Sequence, residues 1–216
     1  MTLVLPPAEL LAPFLLTVAI TELTPGPNMG YLALVGSRWG RVAGLMSVAG
    51  VTLGLAVYLA ATVAGLTRLF LEWPWVFESL RWLGAGFLIW LAVDSWRGST
   101  EAVDASGGTA APGGRRLFWR GVLANVLNPK AALFYAVLLP GFTDPKAENP
   151  VAQMALLGSI HLAVATSVHL AIVLTASSLR PRDAAHRERT DRLAGRVMAV
   201  GLVAVAVWLA WEARGA

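Results

Sequence analysis

The chain has no cysteine, which excludes a thiol relay, a cysteine-held iron–sulfur centre and any disulfide framework, and gives no sign of redox compartment. Charge is scarce too. Only 14% of the 216 residues are Asp, Glu, Lys or Arg, against about 25% in soluble domains. No phosphate-binding P-loop, HExxH helix or GxSxG elbow is present, so ATP-driven transport by this chain and common hydrolase chemistry lack support. An enzyme is therefore not expected, nor is a cofactor. No basic residue precedes Arg38, so a cleavable leader with a basic start is not expected either. What the chain does have is apolar residues, 56% of the total, in long runs that must face lipid or one another.

A membrane span needs about 20 predominantly apolar residues. Six segments qualify: 10–35, 42–66, 76–96, 117–140, 151–179 and 193–213. The expected fold is an all-α membrane protein of six transmembrane helices. Proline interrupts the first helix at Thr24-Pro25-Gly26-Pro27-Asn28 and the fourth at Asn128-Pro129-Lys130. Residues 98–116, rich in Gly, Ser and Ala, read as a flexible linker between halves 1–97 and 117–216.

The net charge of +4 does not point to nucleic acid, because the basic residues sit in short loops between apolar runs. Loops 1, 3 and 5 hold Arg38, Arg41, Arg97, Arg115, Arg116, Arg120 and the six arginines from Arg180 to Arg196, twelve in all. The opposite side has only Arg68, Arg81, Lys146 and Arg214. By the positive-inside rule the arginine-rich loops are cytoplasmic and both termini lie outside an inner membrane. Trp39, Trp73, Trp75, Trp96, Trp119 and Trp211 near segment ends fit interfacial belts. In an alternative topology the broken first segment is re-entrant, which moves the N-terminus inside and leaves five spans.

Three spans per half place the two halves in opposite orientations, the arrangement of an inverted repeat. An offset of 104 residues pairs Thr21 with Asn125, Thr24 with Asn128, Pro25 with Pro129, Tyr31 with Tyr135, and Gly54 with Gly158. A further shift of 14 pairs Trp90-Leu91-Ala92 with Trp208-Leu209-Ala210, and Asp94 with Glu212. Proline removes an amide donor and keeps the residue before it out of helical geometry. Within lipid such a break survives where protein or a wet cavity satisfies the freed groups. Half-helices at 28–35 and 130–139 then begin near the midplane, and their N-termini converge on a site suited to an anion such as a carboxylate.

Ionisable residues deep in a span are functional candidates because their burial is costly. Glu22 and Lys130 flank the two breaks. They form either an ion pair between the halves or a substrate site. In the second case Lys130 and the amides near Asn28 take a carboxylate, while Glu22 faces an amine or carries a coupling proton. His161 and His169 lie about 80° apart around the fifth helix, as packing residues or as parts of a proton relay, and their spacing makes no metal site. Asp94 and Glu212 sit at span ends near Arg97 and Arg214, where interfacial pairing explains them. Gly50 and Gly54 form a GxxxG pair that admits a close neighbour, either within the chain or in a homodimer.

The run Thr24-Pro25-Gly26-Pro27-Asn28, followed by Ser37-Arg38-Trp39-Gly40-Arg41 and Ala43-Gly44-Leu45, resembles the lysine exporter (LysE/RhtB) family. So does Arg120-Gly121 through Asn125 to Asn128-Pro129-Lys130-Ala131-Ala132, followed by Leu138-Leu139-Pro140. The resemblance spans essentially the whole chain. It implies a secondary transporter in the bacterial inner membrane that exports amino acids or amino-acid-like solutes, driven by the proton motive force. Carried over by motif, the core positions are Pro25, Gly26, Pro27, Asn28, Asn128, Pro129 and Lys130; Asn125 joins them as a substrate-binding candidate. Glu22, His161 and His169 are the proton-coupling candidates from the residues themselves. The implied partners are the bilayer, protons and an amino-acid-like small molecule. A cation or metal exporter, and a membrane scaffold or sensor without a transport cycle, stay open as alternatives.

Overall fold

The computed structural model describes residues 5–24, 26–66, 69, 72–100, 112–144 and 146–179, with scattered positions between 193 and 211. The described residues are helical and contain no strand. In chain order the helices are α1 (Ala8–Leu23), α2 (Pro27–Val63), α3 (Pro74–Thr100), α4 (Gly114–Val126) and α5 (Pro129–Leu133). A π-helical turn (Phe134–Leu138), α6 (Leu139–Gly141) and α7 (Pro150–Ser178) follow. α2 and α7 are each long and apolar enough to cross a membrane, and α4 with Pro129–Gly141 forms a third crossing if that pair, bent by 52°, is one span.

Proline recurs in the first turn of these helices, where the amide it lacks has no partner to lose. Pro27 begins α2, Pro129 begins α5 and Pro150 begins α7. The side chains of Asn128 and Asn149 cap the last two, accepting from Lys130 N at 3.1 Å and Ala152 N at 2.9 Å. α3 continues to Thr100 and α4 starts at Gly114, so helix occupies both ends of the segment expected to be a linker. Its central residues 101–111, and most of the expected sixth span with Glu212, lie outside the described residues.

α2 is two arms rather than one rod. Gly40 has φ 83° and ψ −171°, backbone that is essentially restricted to glycine. Tyr31 Oη lies 3.2 Å from Ser47 Oγ across this point. In a straight helix those residues would be about 24 Å apart along the axis. The chain therefore folds back at Gly40, in the basic loop expected between the first two segments.

The second arm of α2 packs tightly on α4. A Cβ at Gly50 would collide with the backbone carbonyl of Phe118, and one at Gly54 would meet the Asn125 side chain at 2.8 Å. From the other side, a Cβ at Gly121 would collide with the carbonyl of Ser47. The neighbour admitted by the GxxxG pair is thus within the chain. One apolar cluster gathers Leu32, Val35, Val48, Val51 and Leu117 with α3 and Val173. A second gathers Phe14, Val18, Leu55, Tyr58, Phe134 and Leu157 around the two breaks. Leu16, Ile20, Leu23, Val42 and Trp75 are more than half exposed, which leaves outward apolar faces suited to lipid.

Candidate functional site

The break before α2 leaves carbonyls without donors. In a continuing helix Thr21 O would accept from the amide of residue 25, and Pro25 has none. Lys130 fills that vacancy from the other half of the chain. Its ammonium donates to Thr21 O at 2.5 Å and to Thr24 O at 2.8 Å. A cation at a helix C-terminus also meets the negative end of the helix dipole. The prolines of one motif and the lysine of the other are therefore two parts of one interaction. In the second break the carbonyl orphaned by Pro129 is that of Asn125, and it accepts from Asn128 N at 3.0 Å. Tyr58 Oη donates to Val126 O at 2.6 Å.

Beside these breaks lies a small, partly open cavity. Glu22, Gly26 and Asn28 line it from the first half and Asn125, Asn128 and Lys130 from the second, while His161 and His169 close it from α7. Pro27 and Pro129 shape the helix starts and are not in the lining. Pro25 lies outside the described residues. Asn28 Nδ2 donates to Asn125 Oδ1 at 2.7 Å, joining the halves through a fully buried amide pair. Asn28 Oδ1 and Asn125 Nδ2 have no protein partner. Reversing both amides exchanges the two roles and still leaves one acceptor and one donor unused.

Glu22, only 7% exposed, sits between the two histidines. Its Oε1 is 3.2 Å from His161 Nε2 and its Oε2 is 4.0 Å from His169 Nε2. Among the described contacts, Lys130 reaches backbone carbonyls and Glu22 reaches imidazoles, so the direct Glu22–Lys130 ion pair is not what is seen. Tyr135 Oη lies 3.0 Å from His161 Nδ1 and donates to Gly158 O at 3.4 Å. With the tyrosine hydroxyl donating to Gly158 O, Nδ1 of His161 is the donor to the tyrosine oxygen. In a neutral ring, Nε2 then carries only a lone pair. In that tautomer an unprotonated nitrogen and a carboxylate oxygen would repel at 3.2 Å, so the Glu22–His161 contact takes one proton between the two atoms. Phe134 stacks on the imidazole with ring centres 3.7 Å apart, fixing its plane.

Neither Tyr135 nor Phe134 is a site candidate on sequence grounds. The trace available was the match of Tyr135 to Tyr31 in the repeat, a lone hydroxyl in an apolar run. Their placement depends on the π-helical turn, whose freed Tyr135 carbonyl accepts from Thr62 Oγ1 at 3.1 Å. Such turns have no sequence signature and recur at functional sites. No group of three His, Cys, Asp or Glu placed to hold a metal ion occurs among the described residues.

Comparison with known proteins adds a family and three relatives. Residues 19–213 match the family described as LysE type translocator. The homoserine/homoserine lactone efflux protein of Salmonella typhimurium is 33% identical over 145 residues, covering 67% of this chain and 69% of that protein. The leucine efflux protein of Klebsiella pneumoniae is 26% identical over 197 residues, covering 91% of this chain and 92% of that protein. An uncharacterized membrane protein of Vibrio cholerae is 28% identical over 136 residues, 63% of this chain and 66% of that one. No solved structure matches the chain.

Proposed function

The chain belongs to the LysE type translocator family, a membrane transporter rather than an enzyme, and on that premise we propose that it exports small amino acids from the bacterial cytoplasm in exchange for protons. Six spans in two inverted three-helix repeats rock about this cavity, with the arginine-rich loops in the cytoplasm and both termini outside. The observation that carries this reading is the convergence of Glu22, Asn28, Asn125 and Lys130, from both halves, on one cavity. The third proton of the Lys130 ammonium and the unused Asn125 amide face a substrate carboxylate. Glu22 and the unused Asn28 oxygen face its ammonium. Met29, Leu55 and Phe134 supply an apolar wall for an uncharged side chain. The relatives named for homoserine and leucine efflux fit such a cargo.

The test uses the purified protein in liposomes loaded with radiolabelled homoserine or leucine. Lys130→Met should weaken substrate affinity about ten- to hundredfold, the worth of one charge-assisted hydrogen bond. Unchanged affinity would remove the carboxylate role. Glu22→Gln should uncouple export from an imposed pH gradient, and undiminished gradient-driven export would remove Glu22 from coupling.

A further inference from the structure

His169 is left over by the site as described. It is 4% exposed, its Nδ1 has no partner, and its Nε2 stands 4.0 Å from Glu22, beyond hydrogen-bond reach. A buried imidazole without a hydrogen bond is costly, and this one lines the cavity beside a carboxylate. His161, by contrast, is fully engaged by Glu22, Tyr135 and Phe134. The two histidines are also at different depths, because eight residues of helix separate them by about 12 Å along the α7 axis. One carboxylate therefore stands between two imidazoles set at different heights along α7.

We propose that His161, Glu22 and His169 form a three-member proton wire through the middle of the protein, with Glu22 passing a proton from one histidine to the other. This rests on the proton-exchange reading above and assigns its path. In the state described here the proton is shared between His161 Nε2 and Glu22 Oε1. Transfer breaks the N–H bond and forms an O–H bond, leaving neutral His161 and a carboxylic acid. Turning the carboxyl group about Cγ–Cδ and closing the gap to His169 presents that O–H to Nε2. The bond breaks, an N–H bond forms, His169 becomes an imidazolium and Glu22 is a carboxylate again. One proton has moved and no other reactant is consumed.

Among the described residues, three further titratable groups stand close to the wire. Tyr135 on the π-helical turn is a positioning residue: its oxygen holds Nδ1–H of His161, so only Nε2 exchanges. Tyr58 on α2 stacks on Tyr135, with ring centres 6.2 Å apart. Lys130 on α5 lines the same cavity, and its positive charge opposes a second proton in the cluster. In the proposed orientation α7 runs from the outer face inward, which puts His161 on the side of proton uptake and His169 on the side of release.

The experiment is done in proteoliposomes with an internal pH-sensitive dye, measuring homoserine exchange without a gradient beside homoserine-coupled proton influx and gradient-driven efflux. For His169→Gln, proton influx and driven efflux should fall at least about tenfold, as expected for loss of a proton-transfer group. Exchange, which needs no net proton movement, should fall by less than about threefold. Tyr135→Phe should displace the pH profile of driven efflux while sparing exchange. Undiminished driven efflux in His169→Gln would overturn the wire. So would loss of exchange and driven efflux together in both His169→Gln and His169→Asn, which would make His169 a substrate-binding or packing residue. If wild-type protein exchanged neither homoserine nor leucine but still showed proton leak abolished by His169→Gln, the substrate reading would fail and the wire would stand.

Discussion

At the scale of single residues, the site is defined by polar groups that have given up water for one specific partner. The Asn28–Asn125 pair is the clearest case. Removing one amide leaves the other buried without its partner, which costs about 1–3 kcal/mol, whereas replacing both with apolar groups of similar shape costs much less. Asn28→Leu and Asn125→Leu should each lower the thermal midpoint of the detergent-solubilised protein, and the double variant should lose less than the sum. Simple additivity would mean that the 2.7 Å bond carries no coupling. Part of this site is legible from sequence, because Glu22, Asn28, Asn125 and Lys130 are expensive residues inside apolar runs and need a reason to be there. What they touch is not legible. Sequence offers Lys130 a carboxylate partner, Glu22 or a substrate, but not its contacts with the carbonyls of Thr21 and Thr24, 109 and 106 residues away beside the first break. Such a contact depends on how two distant breaks face each other, which periodicity does not encode.

At the scale of elements, helix boundaries follow the sequence closely because strong punctuation marks them. Proline at the first turn fixes the starts of α2, α5 and α7, and Gly40 fixes the reversal within α2. Inter-helix spacing is set by missing side chains. Gly50→Ala would drive a methyl group into the Phe118 carbonyl, and overpacking of this kind costs about 1–3 kcal/mol. Gly86→Ala is the matched control, since nothing lies within 4 Å of a Cβ there. Heating the two variants in detergent and following the monodisperse fraction should show a lower midpoint for Gly50→Ala and no loss for Gly86→Ala. Equal behaviour would show that α2 and α4 are not held at the distance described. The same logic makes Gly40→Ala harmful for another reason. Holding alanine at φ 83° and ψ −171° costs about 1–3 kcal/mol of backbone strain, and the arm that carries Asn28 would be displaced from the cavity.

For the whole molecule, the charge pattern and the fold bear on each other through Gly40. The hairpin tip carries Arg38 and Arg41, so whichever face holds the tip holds one of the arginine-rich loops. The first arm of α2 runs from that tip back to the cavity, and in the proposed six-span topology α1 continues from the break towards the opposite face. In that topology the junction of α1 with the first arm of α2 puts Glu22 at mid-depth, beside the break rather than inside a continuous span. This arrangement requires that the loops containing residues 38–41 and 98–116 share one face and that residues 141–149 lie on the other. The absence of cysteine makes the requirement easy to test, because a single introduced thiol has no background. In intact cells, a membrane-impermeant maleimide should label Lys146→Cys and leave Ser106→Cys unlabelled, and both should react once the membrane is opened. Labelling of Ser106→Cys from outside would invert the orientation, and with it the direction assigned to the proton path from His161 to His169. The chemistry of the cluster would be unchanged, and the protein would then take protons from the face to which the present scheme delivers them.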